Sequence, residues 1–173
     1  MNAATDQAEE NLTQESAIGK IRELGNAARV CLFGTSAGNF PLTVRPMGVA
    51  DIDAAGVLWF LSGRSSMKNW HIAHDPRVQL FFSNPSTAQY LSLTGAATIS
   101  DDQPLREKYW TPLARAWFAG GVDDPELTVI RVRPESGYYW DTEHGKTVAL
   151  LKIALAAVTG HPVSEGAHGT VKP

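Results

Sequence analysis

Short apolar runs alternate with clusters of glycine, proline, serine, asparagine and aspartate along most of this chain. Runs of this kind, bounded by turn-forming residues, are typical of β-strands. Several runs follow each other directly through short turns, so the pattern favours an antiparallel barrel or sandwich over a doubly wound sheet. The predicted strands span residues 28–33, 41–48, 56–61, 77–82, 88–99, 127–133 and 138–140.

Two of the predicted strands carry further information. In the strand over 88–99, Gln89, Leu91 and Leu93 share one face, because side chains alternate along a strand. The strand over 41–48 contains Pro46, which cannot donate to a ladder of hydrogen bonds. That strand must therefore lie at a sheet edge or be broken at Pro46, and such breaks occur where backbone groups meet a ligand.

Apart from a short helix after Ser65, two helices are predicted before the last strand. The first spans residues 8–25 and ends at Gly25-Asn26; we expect it to pack on the sheet as a lid. The second follows Thr111, which caps it, has Pro112 at its first position, and ends at the two glycines that follow. The apolar stripe of the first helix consists of Ala17, Ile18, Ile21 and Leu24.

A third helix is predicted over residues 146–160, and it is apolar nearly all round. Lys152 interrupts its apolar segment, which is well short of the roughly 20 residues needed to span a bilayer. Such a helix must be covered on several sides, and in a domain this small that indicates a second subunit. The small, polar residues 161–173 are expected to form a mobile tail.

Composition and charge exclude several classes of function. The chain has 173 residues and a formal net charge of −3, and it contains no run of lysine and arginine, so nucleic acid is a poor candidate partner. Cys31 is the single cysteine, cannot form an intrachain disulfide, and is interpreted as a small buried hydrophobe. The acidic N-terminal stretch lacks the apolar core of a secretory signal. These features indicate a cytoplasmic protein with no membrane span.

Common catalytic and metal motifs are missing from the sequence. None of the five histidines has a partner at the spacing of a zinc site, and His71 and His74 are interpreted as a solvated helix face. The chain contains no Gly-x-Ser-x-Gly elbow, no phosphate-binding loop ending in Gly-Lys-Ser/Thr, and no Gly-x-Gly-x-x-Gly after a strand. We therefore expect no metal, and neither a hydrolase triad nor a standard nucleotide cradle is supported.

The stretch from Ser62 to Val78 carries the best candidate for a ligand site. Ser65 is a suitable N-cap for a short helix, which would place Ser66 and Lys68 in the first turn, where free N–H groups and the helix dipole favour a phosphate. A lysine there opposes the dipole, so Lys68 is easier to explain beside an anion. The alternative is a solvated lysine on a surface turn. Pro76 is expected to end this helix.

Further phosphate-competent groups lie on neighbouring strands. Arg45 can grip phosphate oxygens through two parallel bonds, whereas Lys68 supplies a point charge, and Gln89 lies further along the chain. The chain also has five tryptophans, most of which are expected in the core, with one available to lie against a flat cofactor.

Five stretches in this order resemble the pyridoxamine 5′-phosphate oxidase superfamily of FMN-binding split barrels. They are Arg45-Pro-Met, Gly56-Val-Leu-Trp-Phe-Leu-Ser62, Ser66-Met-Lys68, Asp75-Pro-Arg-Val78, and Gln89 before Thr94-Gly95. Residues 110–127 and Tyr139-Trp-Asp141 are similar to the bacterial general stress protein 26 branch. The resemblance covers about residues 15–142.

The resemblance implies a mainly β protein with flanking helices, built on a six-stranded antiparallel split β-barrel. It implies a homodimer with one FMN at each of two sites between the subunits. With this fold, residues 1–14 are the N-terminal tail and helix start, and 15–145 are the split-barrel flavin-binding domain. Residues 146–160 are the C-terminal helix, and 161–173 are a flexible tail.

The resemblance also implies roles for particular residues. Arg45 and Lys68 match phosphate-contacting positions, and Gln89 matches a glutamine that hydrogen-bonds the cofactor. Ser65 and Ser66 would line the phosphate pocket. The backbone beside the isoalloxazine and ribityl would be that of Pro46, Met47, Phe60, Leu61 and Ser62.

Two departures from the oxidases bear on activity. Met67 stands where they have a second basic residue, and nothing after Trp140 matches their C-terminal substrate motif. Arg131 and Arg133 remain as alternative partners for a substrate phosphate, because the facing of their strand is not fixed by the sequence. We nevertheless expect no oxidation of pyridoxine phosphate.

The predicted function is binding of a flavin, FMN or FAD, by a dimeric oxidoreductase of a general stress response. The alternative is a non-catalytic flavin carrier or a stress-response binding module. The sequence identifies no general acid or base and leaves the electron donor, the substrate and a preference for FMN, FAD or a deazaflavin open.

Overall fold

The structure, a computed structural model, describes residues 9–38, 40–141 and 167–173. The described strands are β1 Leu12–Thr13, β2 Val30–Thr35, β3 Thr43–Gly48, β4 Asp51–Ile52, β5 Leu58–Gly63, β6 Arg77–Asn84, β7 Gln89–Ser100, β8 Leu127–Trp140 and β9 His168–Lys172. The described helices are α1 Gln14–Ala28, α2 Met67–His74 and α3 Gln103–Tyr109, with 3-10 helices at Pro112–Ala116 and Gly121–Asp123. The predicted helix over 146–160 and residues 161–166 lie outside the described residues.

The described strands form one mixed sheet in the order β1-β9-β8-β7-β6-β2-β3. Strand β5 pairs with the first part of β8, residues 127–132, and β4 pairs with β5. Only the short pair β1–β9 is parallel within the described part of the chain. The prediction of a mainly β protein with flanking helices is confirmed. The six-stranded antiparallel barrel is not confirmed, because the sheet has nine strands and its hydrogen bonding does not close. Two of the extra strands are β1, which the sequence analysis assigned to the first helix, and β9, which it assigned to the tail.

The two strands predicted over 127–133 and 138–140 are one continuous strand, β8, so that prediction was wrong. Pro134 pairs with Gly95, and the next pair joins Ser136 to Thr94, which leaves Glu135 as the extra residue of a β-bulge. The bulge accommodates a proline that cannot donate to the ladder. A side chain on Gly95 would collide with the backbone there, so glycine is required opposite the proline.

Helix α1 begins and ends later than predicted. Leu12 is extended and pairs with β9, so the helix begins at Gln14 instead of residue 8. Gly25 is not a stop, because Arg29 closes the helix in a left-handed conformation (φ 61°) and donates its N–H to the Gly25 carbonyl (2.9 Å). Gly25 instead lets Ile52 pack against the helix backbone. Of the predicted apolar stripe, Ala17, Ile21 and Leu24 are buried, whereas Ile18 is half-buried.

The mobile tail predicted over 161–173 was wrong for its last residues. Residues 168–172 form β9, which lies between β8 and β1 in the sheet. Val171 is fully buried, and the N–H and hydroxyl of Thr170 both bond the Asn11 side chain (2.9 and 2.7 Å). Glycine is required at position 169, because a side chain there would collide with the backbone of Glu10.

The helix predicted after Thr111 is shorter than expected. Thr111 is its N-cap and Pro112 its first residue, as predicted, but it is a 3-10 helix that ends at Ala116. It leaves Leu113 and Trp117 more than 70% exposed. Helix α3 was missed, because Gln103–Tyr109 has little apolar periodicity.

The main core lies between α1 and one face of the sheet. Phe33 and Phe60 meet edge to face within it, with ring centroids 5.1 Å apart. Cys31 is buried as predicted, and burial raises the pKa of its thiol to about 12, so it is not a reactive thiolate. A second cluster on the other face of β5 stacks Trp59 on Tyr109 of α3. In the described ranges no helix has the length and apolar content needed to cross a membrane.

Candidate functional site

The loop before α2 differs from the prediction by one residue. Ser66, not Ser65, is the N-cap of α2, so Lys68 is the second residue of the helix. Ser65 remains in the preceding turn, where its N–H and hydroxyl donate to the Glu126 carboxylate (3.0 and 2.6 Å). Its hydroxyl is thus held by an acid and is less suited to an anion. The helix ends at His74, before Pro76, as predicted.

A buried polar ring fixes the first turn of α2 to the sheet. The Ser62 hydroxyl donates to Asn69 Oδ1 (2.7 Å), and Asn69 Nδ2 donates to Thr128 Oγ1 (3.0 Å). Thr128 Oγ1 in turn donates to the Ser62 carbonyl (2.8 Å). All three side chains are buried, and Ser66 Oγ lies 3.3 Å from Ser62 Oγ at the edge of the ring. The free N–H groups of the helix start are therefore held in a fixed place.

Strand β3, which carries Arg45 and Pro46, is an edge of the sheet, as predicted from the proline. The N–H of Val49 donates to the Arg29 carbonyl (2.9 Å), and backbone direction alternates along a strand. Pro46 therefore has its nitrogen on the outer edge, where no ladder bond is lost. Arg45 pairs with Phe33 and so lies on the core face.

Arg45 is held by two neutral acceptors. Its Nη1 donates to Thr35 Oγ1 (2.6 Å) and to the Phe33 carbonyl (3.2 Å). Thr35 Oγ1 lies 2.9 Å from Nδ1 of His71, which is one helical turn after Lys68 on α2. These contacts bring β2, β3 and α2 together around the arginine.

Arg45 and Lys68 form a pair of positive charges without a counter-charge. Burial lowers the pKa of Arg45, and burial together with the charge of Arg45 lowers the pKa of Lys68. Neither cation forms a salt bridge with any acid in the described part of the chain. A partly buried cation is costly unless an anion compensates it, so this arrangement favours an anionic ligand.

The backbone expected beside a flat cofactor runs along two unpaired strand edges. Strand β3 lies beside β5, but no hydrogen-bonded pairing joins them in the described ranges. The N–H of Ala50 donates to the Trp59 carbonyl (2.8 Å), so alternation points the backbone groups of Leu61 to the same edge, beyond the end of β4. The side chains of Phe60 and Met47 are in the core, and by the same alternation their backbone N–H and C=O groups point into the ladders with β8 and β2, not to the open edges.

Gln89 is not brought to the Arg45–Lys68 pair. Across the sheet Arg45 is level with Leu93, and Gln89 lies four residues away along β7, or roughly 13 Å. Its amide accepts from Thr87 (2.6 Å) and donates to Asp141 Oδ1 (2.9 Å).

Arg131 and Arg133 also lie apart from the pair. Arg131 sits over the Trp59 ring, 5.8 Å from its centroid, on the face of β8 opposite to the main core. Arg133 is exposed and pairs with Ala96. Trp70, Trp117 and Trp140 are exposed tryptophans.

Sequence reasoning missed Thr35 altogether and interpreted His71 as solvated, whereas both are buried. The only signal for His71 was its spacing of three residues from Lys68, which puts both on one helix face. Thr35 gave no signal in the sequence, because it is a single polar residue at the end of an apolar strand. Considering the described residues alone, no three histidine, cysteine, aspartate or glutamate side chains cluster as a metal site would need.

Comparison with known proteins identifies relatives of this chain. A family model described as "Pyridoxamine 5'-phosphate oxidase like" matches residues 16–164. Protein bli-3 of Neurospora crassa is 28% identical over 132 residues, which cover 71% of this chain and 63% of that protein. This chain therefore spans less than two thirds of the length of that relative.

Two solved structures show the same fold. A putative general stress protein 26 from Jannaschia sp. CCS1 is 26% identical, with a TM-score of 0.72 over 92% of this chain and 96% of that one. A pyridoxamine 5′-phosphate oxidase-related, FMN binding protein from Nostoc punctiforme PCC 73102 is 20% identical, with a TM-score of 0.57 over 72% of this chain and 80% of that one. At that identity the second likeness shows the fold alone.

Proposed function

This chain belongs to the pyridoxamine 5′-phosphate oxidase-like family, and from that premise we propose that it binds FMN with the phosphate between Arg45 and Lys68. The observation that carries the proposal is the uncompensated cation pair beside the fixed start of α2. The pair fits a phosphate, because Arg supplies a directional fork, Lys a point charge, and the helix start free N–H groups.

The remaining contacts proposed for the flavin follow from the two unpaired edges. The backbone of Pro46 and Leu61 borders the gap between β3 and β5, where a planar ring system can replace the missing strand pairing. Ser62 and Ser66 stand at the helix end of that gap, near the phosphate. Bound flavin would supply redox chemistry, and these residues would hold and orient it.

The direct test compares FMN with riboflavin, which lacks the phosphate. We expect the wild type to bind FMN more tightly, and Lys68→Met to lower FMN affinity about 10- to 100-fold, the scale of one charged hydrogen bond. Riboflavin affinity should change little. Lys172→Met removes an exposed lysine elsewhere and serves as the control. Equal affinity of the wild type for both flavins in a fluorescence titration would overturn the site.

We propose a homodimer because one face of the sheet is apolar and exposed. The face lies outside the core on neighbouring strands, where Leu32 pairs with Phe81 on one side and with Pro46 on the other. Its exposed members are Val30, Leu32, Val44, Phe81, Tyr90 and Trp140. Exposed apolar faces of this kind mark interaction surfaces. Arg45 of the proposed phosphate site lies on β3, the edge strand that also carries Val44 of this face.

Light scattering tests the dimer. We expect a dimer at micromolar concentration, and Leu32→Lys should give a folded monomer by placing a charge in the face. Leu113→Lys changes another exposed leucine outside the face and should leave the dimer intact. A monomer that still binds FMN would show that the site is built within one chain.

The proposal extends to a flavin-dependent oxidoreductase in the cytoplasm, with a non-catalytic flavin carrier as the alternative. Reduction of bound flavin by NADH or NADPH, followed by reoxidation by an acceptor, separates the two. Turnover supports the enzyme, whereas flavin that binds tightly and is not reduced supports the carrier.

We propose no activity on pyridoxine phosphate. The cation pair is assigned to the cofactor phosphate, and Arg131 lies on the other face of its strand. Sustained formation of pyridoxal 5′-phosphate by the FMN-loaded protein would contradict this.

A further inference from the structure

Arg45 is oriented by groups that do not cancel its charge. One guanidinium nitrogen, Nη1, makes both of its hydrogen bonds to the described residues, to Thr35 Oγ1 (2.6 Å) and to the Phe33 carbonyl (3.2 Å). A guanidinium has five donors in a fixed fork, so holding one nitrogen fixes the direction of the others. We propose that Thr35 and His71 are positioning residues that aim Arg45 at the phosphate. This inference rests on the proposed function.

The Thr35 hydroxyl has a defined role in this chain of contacts. Arg45 can only donate, so Thr35 Oγ1 accepts from it and has its own proton left to give. Nδ1 of His71 lies 2.9 Å away and is the acceptor within reach. Thr35 is fully buried, so a hydroxyl proton without a partner would be costly there. Neutral His71 with its proton on Nε2 therefore completes the chain.

The direction of the chain strengthens the hold on Arg45. A hydroxyl that donates becomes a better acceptor, because hydrogen bonds in series polarise one another. His71 thus acts on Arg45 through Thr35. The same helix carries Lys68 three residues earlier, so α2 supplies both the second cation and the end of this chain.

Neutral acceptors differ from a carboxylate in their effect on a ligand. A carboxylate would orient Arg45 equally well but would compete with the phosphate for its charge. Thr35 and the Phe33 carbonyl fix the direction and leave the full positive charge for the ligand. The arrangement thus suits an arginine that must be rigid before the anion arrives.

The test measures FMN and riboflavin affinity in variants of the chain of contacts. Thr35→Val should lower FMN affinity about 10-fold and change riboflavin affinity less than about 2-fold, because it removes one hydrogen bond to Arg45. Thr35→Ser restores the hydroxyl and should restore the FMN preference. Thr87→Val is the matched control, because it removes a threonine hydroxyl that donates to Gln89 instead of one that contacts Arg45. It should leave the preference for FMN over riboflavin unchanged.

A double-mutant cycle tests the role of His71. His71→Phe should lower FMN affinity about 3-fold in the wild type and have no effect in the Thr35→Val background, because it acts through that hydroxyl. Additive effects would overturn the positioning role of His71. If the wild type prefers FMN and Thr35→Val keeps that preference, the inference fails while the phosphate site stands. If the wild type shows no preference, the proposed function itself fails.

Discussion

Lys20 and Lys68 are partly buried lysines on helices that pack on the same sheet, yet their surroundings differ. Lys20 lies 2.8 Å from Asp141 and 3.0 Å from Glu23, whereas Lys68 faces Arg45 and has no acid partner in the described ranges. Burial lowers the pKa of each lysine, but the two acids outweigh burial at Lys20 and raise its pKa. At Lys68 the pKa is lowered. A compensated charge is part of the scaffold, and an uncompensated one is available to a ligand.

The same comparison applies to the polar networks around the two lysines. The Lys20 network lies at the first end of β7, which begins at Gln89, whereas Arg45 and Thr35 are level with Leu93 and Gly95 near the middle of that strand. At the first end Asp141 accepts from both Lys20 and Gln89. Near the middle of β7, Thr35 and His71 hold Arg45 with no acid partner from the described residues.

Removing Asp141 should have the largest effect on stability. Asp141→Ala leaves Lys20 without its closest acid and Gln89 without an acceptor, so we expect the free energy of unfolding to fall by about 2–3 kcal/mol. Urea denaturation measures it. The preference for FMN over riboflavin should stay, and its loss would show that the two networks are coupled.

Substituting the two lysines should affect stability in opposite directions. Lys20→Met should lower the free energy of unfolding by about 1 kcal/mol, because its ion pairs are only partly buried. Lys68→Met should leave stability unchanged or raise it by a few tenths of a kcal/mol, because a disfavoured charge is removed. Equal losses in denaturant would contradict the assignment of Lys68 to a ligand.

The pH dependence of apo-protein stability should separate the lysines as well. The folded-state pKa of Lys68 is lowered, so the unfolded chain binds more protons as pH rises towards 10.5, and stability rises relative to Lys68→Met. The folded-state pKa of Lys20 is raised, so its contribution is present below 10.5 and is lost as pH rises through the folded pKa. Urea denaturation of the wild type and of each lysine variant, at pH values on both sides of 10.5, measures both differences in the free energy of unfolding. Differences of the same sign would contradict the comparison.

At Gln89 the expected effect is confined to stability. Gln89→Leu removes its bonds to Thr87 and Asp141, at a cost of about 1 kcal/mol in the free energy of unfolding. The ratio of FMN to riboflavin affinity should not change. An equal fall in both affinities would show that the amide reaches the flavin ring, and a changed ratio would contradict its distance from the phosphate pair.

The sequence predicted those features that depend on local pattern. Alternation placed Leu91 and Leu93 on the core face, and Pro46 indicated the edge strand. Lys68 at a helix start, which is hard to explain without a ligand, indicated the candidate anion site. Each of these signals lies within a few residues of the feature that it predicts.

Other features depend on contacts between distant parts of the chain. The acceptor for Ser65 is Glu126, 61 residues away, so the choice of Ser66 as N-cap has no local signal. Thr35 becomes part of the site only because β2 brings it beside α2. Pro134 suggested a strand break, but β8 continues through a β-bulge there, because Gly95 on the paired strand has no side chain to collide with its backbone.

The position of β9 changes how the two ends of the described chain respond to proteolysis. β9 pairs with β8 along one edge and with β1 along the other, so both its edges are occupied. An exopeptidase that trims the residues after β9 would therefore halt at a strand whose release opens the sheet on two sides. Release of β1 would expose only one edge of β9, because β1 is the last strand in the order of the sheet.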